Sequence, residues 1–239
     1  MTEPNNPYEA PESLLESSVE SVGGSVESAI RGEYSFKIGE VLGEAWELSN
    51  GFKGTFWGAT LLLIAVNIGA GVLTNLVEGN TIARGVIQIG STLLLYPLNA
   101  GVVMLCVYRA AGRQVQAAQV TAYFPQIIRI VLLNIVASVL ILVGLLLFVL
   151  PGIYLAIGYM FAIPLLLDKN LKIWDALEVS RKTVTHYWFR YLGLGLVLGF
   201  IVMFGAVLLG IGLIWAVPLA GLAIGVLYVR VLGADGDMG

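Results

Sequence analysis

The chain has 239 residues, of which 58% are hydrophobic and only 12% charged, against a usual charged share of about 25%. So few charges cannot clothe a water-facing surface, which excludes an ordinary soluble domain and points to a polytopic membrane protein. The net charge of −3 and the lack of any broadly basic face leave out nucleic acid as a partner.

Residues 1–34 read as a disordered, acidic cytoplasmic tail. Residues 1–33 hold seven Glu and one Arg, Arg31, among Ser, Pro and Gly, and ten of the sixteen acids precede residue 50. The tail has neither the positive start nor the apolar run of a signal peptide. Asn6-Pro7-Tyr8 within it reads as a turn rather than a docking motif.

Residues 35–233 form the six-helix transmembrane domain. Ile38, Val41, Leu42, Ala45 and Trp46 fall at helical spacing, with Lys37, Glu40, Glu44 and Glu47 opposite, so residues 35–50 make a short amphipathic helix on the membrane surface. Asn50-Gly51 stops it, and Phe52, Phe56 and Trp57 follow at the depth aromatic rings favour. Gly54–Val77 is the first charge-free span, and Gly85–Tyr108 the second. Residues 114–125 are a linker able to form another surface helix.

The run from Ile130 to Leu167 has 38 residues and no charge. As one helix it would extend about 57 Å at roughly 1.5 Å per residue, far beyond a hydrocarbon core about 30 Å thick. It therefore folds into two spans, about 126–149 and 153–167, with Pro151 and Gly152 as the structural turn and Pro164 bending the second. In the following loop Ile173, Leu177, Ser180, Val184 and Tyr187 share one helical face, opposite Asp175, Glu178 and Lys182. Glu178 and Lys182 stand in the favourable i,i+4 order. The 39-residue run Tyr191–Val229 makes two more spans by the same length argument, turning near 210–215, and residues 234–239 are a C-terminal tail.

Surface helix, aromatic cluster and paired spans recur three times. Pro97-Leu98, Arg109 and Gly112 are echoed by Pro218-Leu219, Arg230 and Gly233 at identical offsets. Of the thirteen Lys and Arg, twelve fall on the side of the termini and long loops, and only Arg84 on the other. By the positive-inside rule both termini are cytoplasmic, in a multi-pass protein of the cell inner (plasma) membrane.

No charge lies deep in any span; Arg109 and Arg129 sit near ends, within reach of headgroups. Asn67, Asn99 and Asn134 are the candidate polar residues of spans one to three, lining a cavity or, more plainly, bonding between helices. Gly54/Gly58, Gly195/Gly199 and Gly221/Gly225 read as close helix packing. The single His186 and single Cys106 offer no metal set, triad or disulfide, so the expectation is no catalytic residue, no metal, no cofactor and no enzyme.

Leu150-Pro151-Gly152-Ile153-Tyr154, Phe161-Ala162-Ile163-Pro164, Asp175-Ala176-Leu177 with Ser180, and Pro97 to Phe124 with Arg109-Ala110-Ala111-Gly112-Arg113 together resemble a large group of bacterial six-span membrane proteins. The group is similar to the membrane domain of some glycerophosphodiester phosphodiesterases. The resemblance spans about residues 36–233 and implies a fold and a location, with no settled activity; this chain lacks the phosphodiesterase catalytic domain.

The expectation is thus an all-α polytopic membrane protein: six transmembrane helices as three hairpins, with interfacial amphipathic helices. Its function reads as non-enzymatic, a scaffold, envelope-homeostasis factor or accessory subunit. The alternative is a transporter or channel for a small or lipophilic solute. Partners are membrane lipids and a second copy or another membrane protein.

Overall fold

The computed structural model describes residues 24–207 and 210–235, and the regular elements among them are helical. They are α1 (Val26–Arg31), α2 (Ile38–Ser49), α3 (Lys53–Leu76), α4 (Thr81–Ala110), a 3-10 helix (Ala117–Gln126), α5 (Ile127–Leu147), α6 (Val149–Gly158), α7 (Ala162–Leu167), α8 (Ile173–Thr185), α9 (Trp188–Val207) and α10 (Leu213–Leu232). Asn6-Pro7-Tyr8 and the first 23 residues of the expected tail lie outside the described residues, as do 236–239.

Five segments are long and apolar enough to cross a membrane: α3, α4, the 3-10 helix with α5, α9 and α10. Their outward faces are oily: Leu76, Ile82, Leu146 and Val207 are each about three-quarters exposed or more. Side chains like these are stable only against lipid or another apolar partner. The architecture is that of a multi-pass membrane protein.

The expected span over 153–167 is corrected. It is two helices, α6 of ten residues and α7 of six, broken at Tyr159–Phe161. Ten residues rise about 15 Å, half of a hydrocarbon core. Pro164 explains the break: its ring clashes with the carbonyl four residues earlier, that of Met160, and it has no N–H to give.

The expected turn at Pro151-Gly152 is also displaced. The chain reverses at Phe148, whose φ of −157° and ψ of 141° are extended. Pro151 is the third residue of α6, where a missing N–H removes no helical bond. Gly152 lies against α5: a Cβ built on Gly144 would come within 3.0 Å of its nitrogen. The pair lets α5 and α6 close up behind the turn rather than making it.

Residues 24–33, expected to be part of the disordered tail, are ordered. Ser25 caps α1, accepting from the Ser28 N–H at 3.2 Å, while the Ser28 hydroxyl accepts from the Ser25 N–H. Ala29 is fully buried, and the Gly24 N–H donates to the Val229 carbonyl. His186, the only histidine, completes this docking through a 2.8 Å bond to the Ile30 carbonyl.

The core gathers where α1, α2, the ends of α4 and α10, α7, α8 and the start of α9 meet. Phe161 sits at its centre, its ring 5.8 Å from Tyr191 and 6.0 Å from Tyr228. The paired helices are staggered around this core rather than standing in register. Trp57, near the start of α3, donates from Nε1 to the carbonyl of Ile214 at the α9–α10 turn, at 3.1 Å. Likewise Leu150 and Pro151, next to the α5–α6 turn, share a crevice with Trp188 and Phe189 at the start of α9.

The sequence echo between α4 and α10 is a structural one. Pro97 and Pro218 are both inside helices and buried. Gly112 and Gly233 follow the helix ends at φ +78° and +68°, backbone that glycine adopts without a Cβ penalty. Arg109 and Arg230 both reach back to α2 or the turn after it. Arg109 donates to the carbonyls of Leu48 (3.3 Å) and Asn50 (3.1 Å). Arg230 pairs with Glu44 and lies 3.8 Å from the Glu40 carboxylate.

Candidate functional site

The most concentrated polar chemistry in the described residues lies where the α7–α8 loop meets α5 and α10. Asp168 follows the last residue of α7, and its side chain is fully buried. Its Oδ2 accepts a 2.8 Å hydrogen bond from the Tyr228 hydroxyl and a 3.3 Å bond from the Asp235 N–H. Lys169 Nζ stands 3.9 Å from the same oxygen and pairs with the Asp235 carboxylate. Arg129, at the start of α5, holds the rest of the loop, donating to Asn170 Oδ1 (2.7 Å) and to the Leu171 carbonyl (2.9 Å). Neither Arg109 nor Arg129 reaches for headgroups with these donors, as their end positions led one to expect. Both pin protein carbonyls instead.

A second polar arrangement repairs the break between α6 and α7. Ser180 of α8 is completely buried; its hydroxyl donates to the Gly158 carbonyl at 2.6 Å and accepts from the Phe161 N–H at 3.1 Å. One hydroxyl thus satisfies one carbonyl and one N–H that the interruption leaves without helical partners. Ser180→Ala is therefore expected to cost about 1–3 kcal/mol, the range for leaving buried backbone groups unpaired. Thermal unfolding in detergent would show it, and an unchanged midpoint would refute the capping role.

Beside it Arg181 bonds Glu178 in a bidentate pair (2.8 and 3.0 Å) and donates to the Tyr154 hydroxyl at 3.3 Å. Those hydrogen bonds hold the Glu178 carboxyl below its ordinary range and push the Arg181 guanidinium up. Lys182 completes the i,i+4 pair expected from sequence, 3.4 Å from Glu178.

Tyr34, between α1 and α2, donates to the Thr183 carbonyl at 2.6 Å and accepts from Tyr191 at 3.2 Å. Burial pushes its phenol up from 10.0 to about 12. A raised folded value means the fold opposes phenolate, so this contribution is whole below about pH 10 and is lost as pH rises towards 12. The expected result is an alkaline release of α1, read by protease cleavage at Arg31, that Tyr34→Phe abolishes.

The three asparagines singled out from sequence do not come together. Asn67 donates to the Leu63 carbonyl, Asn99 to Leu95 and Asn134 to Ile130, each at 2.8 Å and each four residues back in its own helix. Asn67 and Asn99 are exposed on the outer face of their helices, and Asn134 is half-buried. The glycine pairs divide. A Cβ on Gly225 would lie 2.6 Å from the Cys106 carbonyl oxygen, one on Gly221 2.8 Å from Cys106 Sγ, and one on Gly58 3.1 Å from Ala117 Cβ. Gly54, Gly195 and Gly199 face open space.

Asp168 was not singled out from sequence, although it is the first charge after the longest apolar run of the central region. Ser180 had a clearer signal, a hydroxyl on an otherwise apolar helix face. Among the described residues no cluster of three or more His, Cys, Asp or Glu could hold a metal ion. What the junction can do chemically is clamp: it ties the α7–α8 loop and the C-terminal segment to α5 and α10. No known protein family, curated protein or solved structure matches the chain.

Proposed function

We propose that this is a non-enzymatic protein of the bacterial inner membrane, a scaffold or accessory subunit. It holds six apolar segments as three hairpins: α3–α4, α5 with α6–α7, and α9–α10. Helices α2 and α8 offer their ionic faces to the cytoplasm. The observation that carries the reading is the fate of the asparagines. Each returns its donor to its own helix, so none contributes a polar step to a path between helices. Charged bonding is instead gathered at helix ends and loops, through Arg109, Arg129, Asp168 and Arg230.

Both termini belong to the cytoplasmic side on the twelve-to-one distribution of basic residues. A hairpin returns the chain to the side it left, so the count holds however deeply each hairpin reaches. In a Cys106→Ser background, Thr121→Cys and Lys182→Cys are expected to label only from the cytoplasmic side, and Glu78→Cys from the outside. Labelling of residue 121 or 182 in intact cells would overturn the orientation.

The scaffold reading predicts reproducible co-purification of another membrane protein in mild detergent. A chain that always emerges alone, and that supports a solute flux in vesicles lost in Asn99→Leu, would replace it with the transporter reading.

A further inference from the structure

An apolar groove of about 450 Å³ runs between α2 and the α9–α10 pair, lined by Trp46, Val197, Phe200, Phe204, Trp215 and Leu219 among other wholly apolar residues. Its volume falls in the range of small-molecule sites, roughly 300–1,000 Å³. Trp46 and Phe200 leave about half their surface open on its walls. One end carries a cation: Lys53 Nζ lies 5.9 Å from the centre of the Trp46 ring and 5.8 Å from that of Trp215.

Two properties set Lys53 apart. Lys37, Lys169 and Lys182 each stand beside a carboxylate, whereas Lys53 and Lys172 have none within ion-pair distance among the described residues, and of these two only Lys53 lies over tryptophan rings. Lys53 is also the first residue of α3, where the positive end of the helix dipole adds to its own charge. Indole rings prefer the depth of lipid headgroups, and a lysine's long stem lets its ammonium reach that depth from an apolar flank. The two tryptophans and the lysine thus mark where the groove meets the polar boundary.

We propose that this groove is a site for one anionic phospholipid, with an acyl chain laid between α2 and α9–α10 and the phosphate at Lys53. The charge argues for this occupant over a neutral lipid or an apolar partner helix. A lone ammonium held between two indoles lacks an anion, and an anionic headgroup supplies one while its chain covers the exposed rings. The site does not depend on the scaffold reading, only on the chain residing in lipid.

The test is native mass spectrometry of the full chain. It is loaded in turn with phosphatidylglycerol and with phosphatidylcholine of the same acyl chains. Wild type is expected to retain one phosphatidylglycerol in preference to phosphatidylcholine. Lys53→Gln should shrink that preference about fivefold, the effect of one basic residue near an anionic lipid. Lys53→Arg should keep it, and Val197→Trp, which fills the groove, should lose both lipids. Equal preference in Lys53→Gln and wild type overturns the proposal. So does lipid retention unchanged in Val197→Trp, or a dimer that Val197→Trp dissociates, which would make the groove an interface between two copies. If Val197→Trp fails to fold, the glutamine and arginine variants at Lys53 decide alone.

Discussion

Asp168→Ala is expected to lower stability by about 3–5 kcal/mol, the cost of removing one partner from a buried ionic group and leaving the others unpaired. The carboxylate is the common acceptor of the junction. Without it the Tyr228 hydroxyl and the Asp235 N–H lose their shared oxygen, and Lys169 keeps only Asp235. Tyr228→Phe removes a single donor to a charged acceptor and should cost less, about 1.5–3 kcal/mol. Asp168→Asn preserves shape and one accepting oxygen and should fall between wild type and the alanine variant. Thermal unfolding in detergent, followed by size-exclusion chromatography, orders the three. If Asp168→Ala melts with wild type, the junction is not a clamp.

Among the glycines paired four residues apart, Gly225→Leu should be the most disruptive. Even a methyl at this position would meet the backbone of Cys106, 2.6 Å from its carbonyl oxygen and 2.8 Å from its carbonyl carbon. Backbone cannot rotate aside as a side chain can, so α10 must move off α4. Overpacking of this kind costs about 1–3 kcal/mol or more, and here it falls on the contact that joins two of the five long apolar helices. A Cβ on Gly199 or Gly195 would meet nothing within 4 Å, and leucine at either position replaces a residue that weakens helices by up to about 1 kcal/mol. Both substitutions should be neutral or stabilising. Equal tolerance of leucine at 199 and 225, measured as folded yield in detergent, would mean that α4 and α10 do not approach as closely as described. The spacing alone cannot separate these pairs, because two glycines four residues apart look the same whether they face a neighbouring backbone or lipid.

The long apolar helices were legible because their cause is local. Runs without charge at 54–77 and 191–229 have the length that lipid demands, and α3, α9 and α10 follow them within a few residues. The faces of α2 and α8 were legible from periodicity: Val41 and Ala45, then Leu177, Ser180 and Val184, are buried as their spacing requires. The α6–α7 break was legible in principle, since a proline acts on the carbonyl four residues before it, so that Pro164 interrupts the helix near Met160 rather than where it stands. The partners of Arg109, Arg129 and Asp168 were not legible, because each is paired with a residue at least 40 positions away or with a backbone group that any residue could supply.

The amino-acid sequence by itself determined the class of solvent, the number of long apolar segments to within one, and the faces of the amphipathic helices. These depend on composition and period, which act over a turn or a run of helix. Tertiary structure alone decided that α1 docks, that the asparagines stay on their own helices, that one glycine pair packs while another stands open, and that the paired helices are staggered so that Ile214 reaches Trp57. Those outcomes depend on which side chains from distant parts of the chain compete for the same buried space, and packing between helices settles that competition.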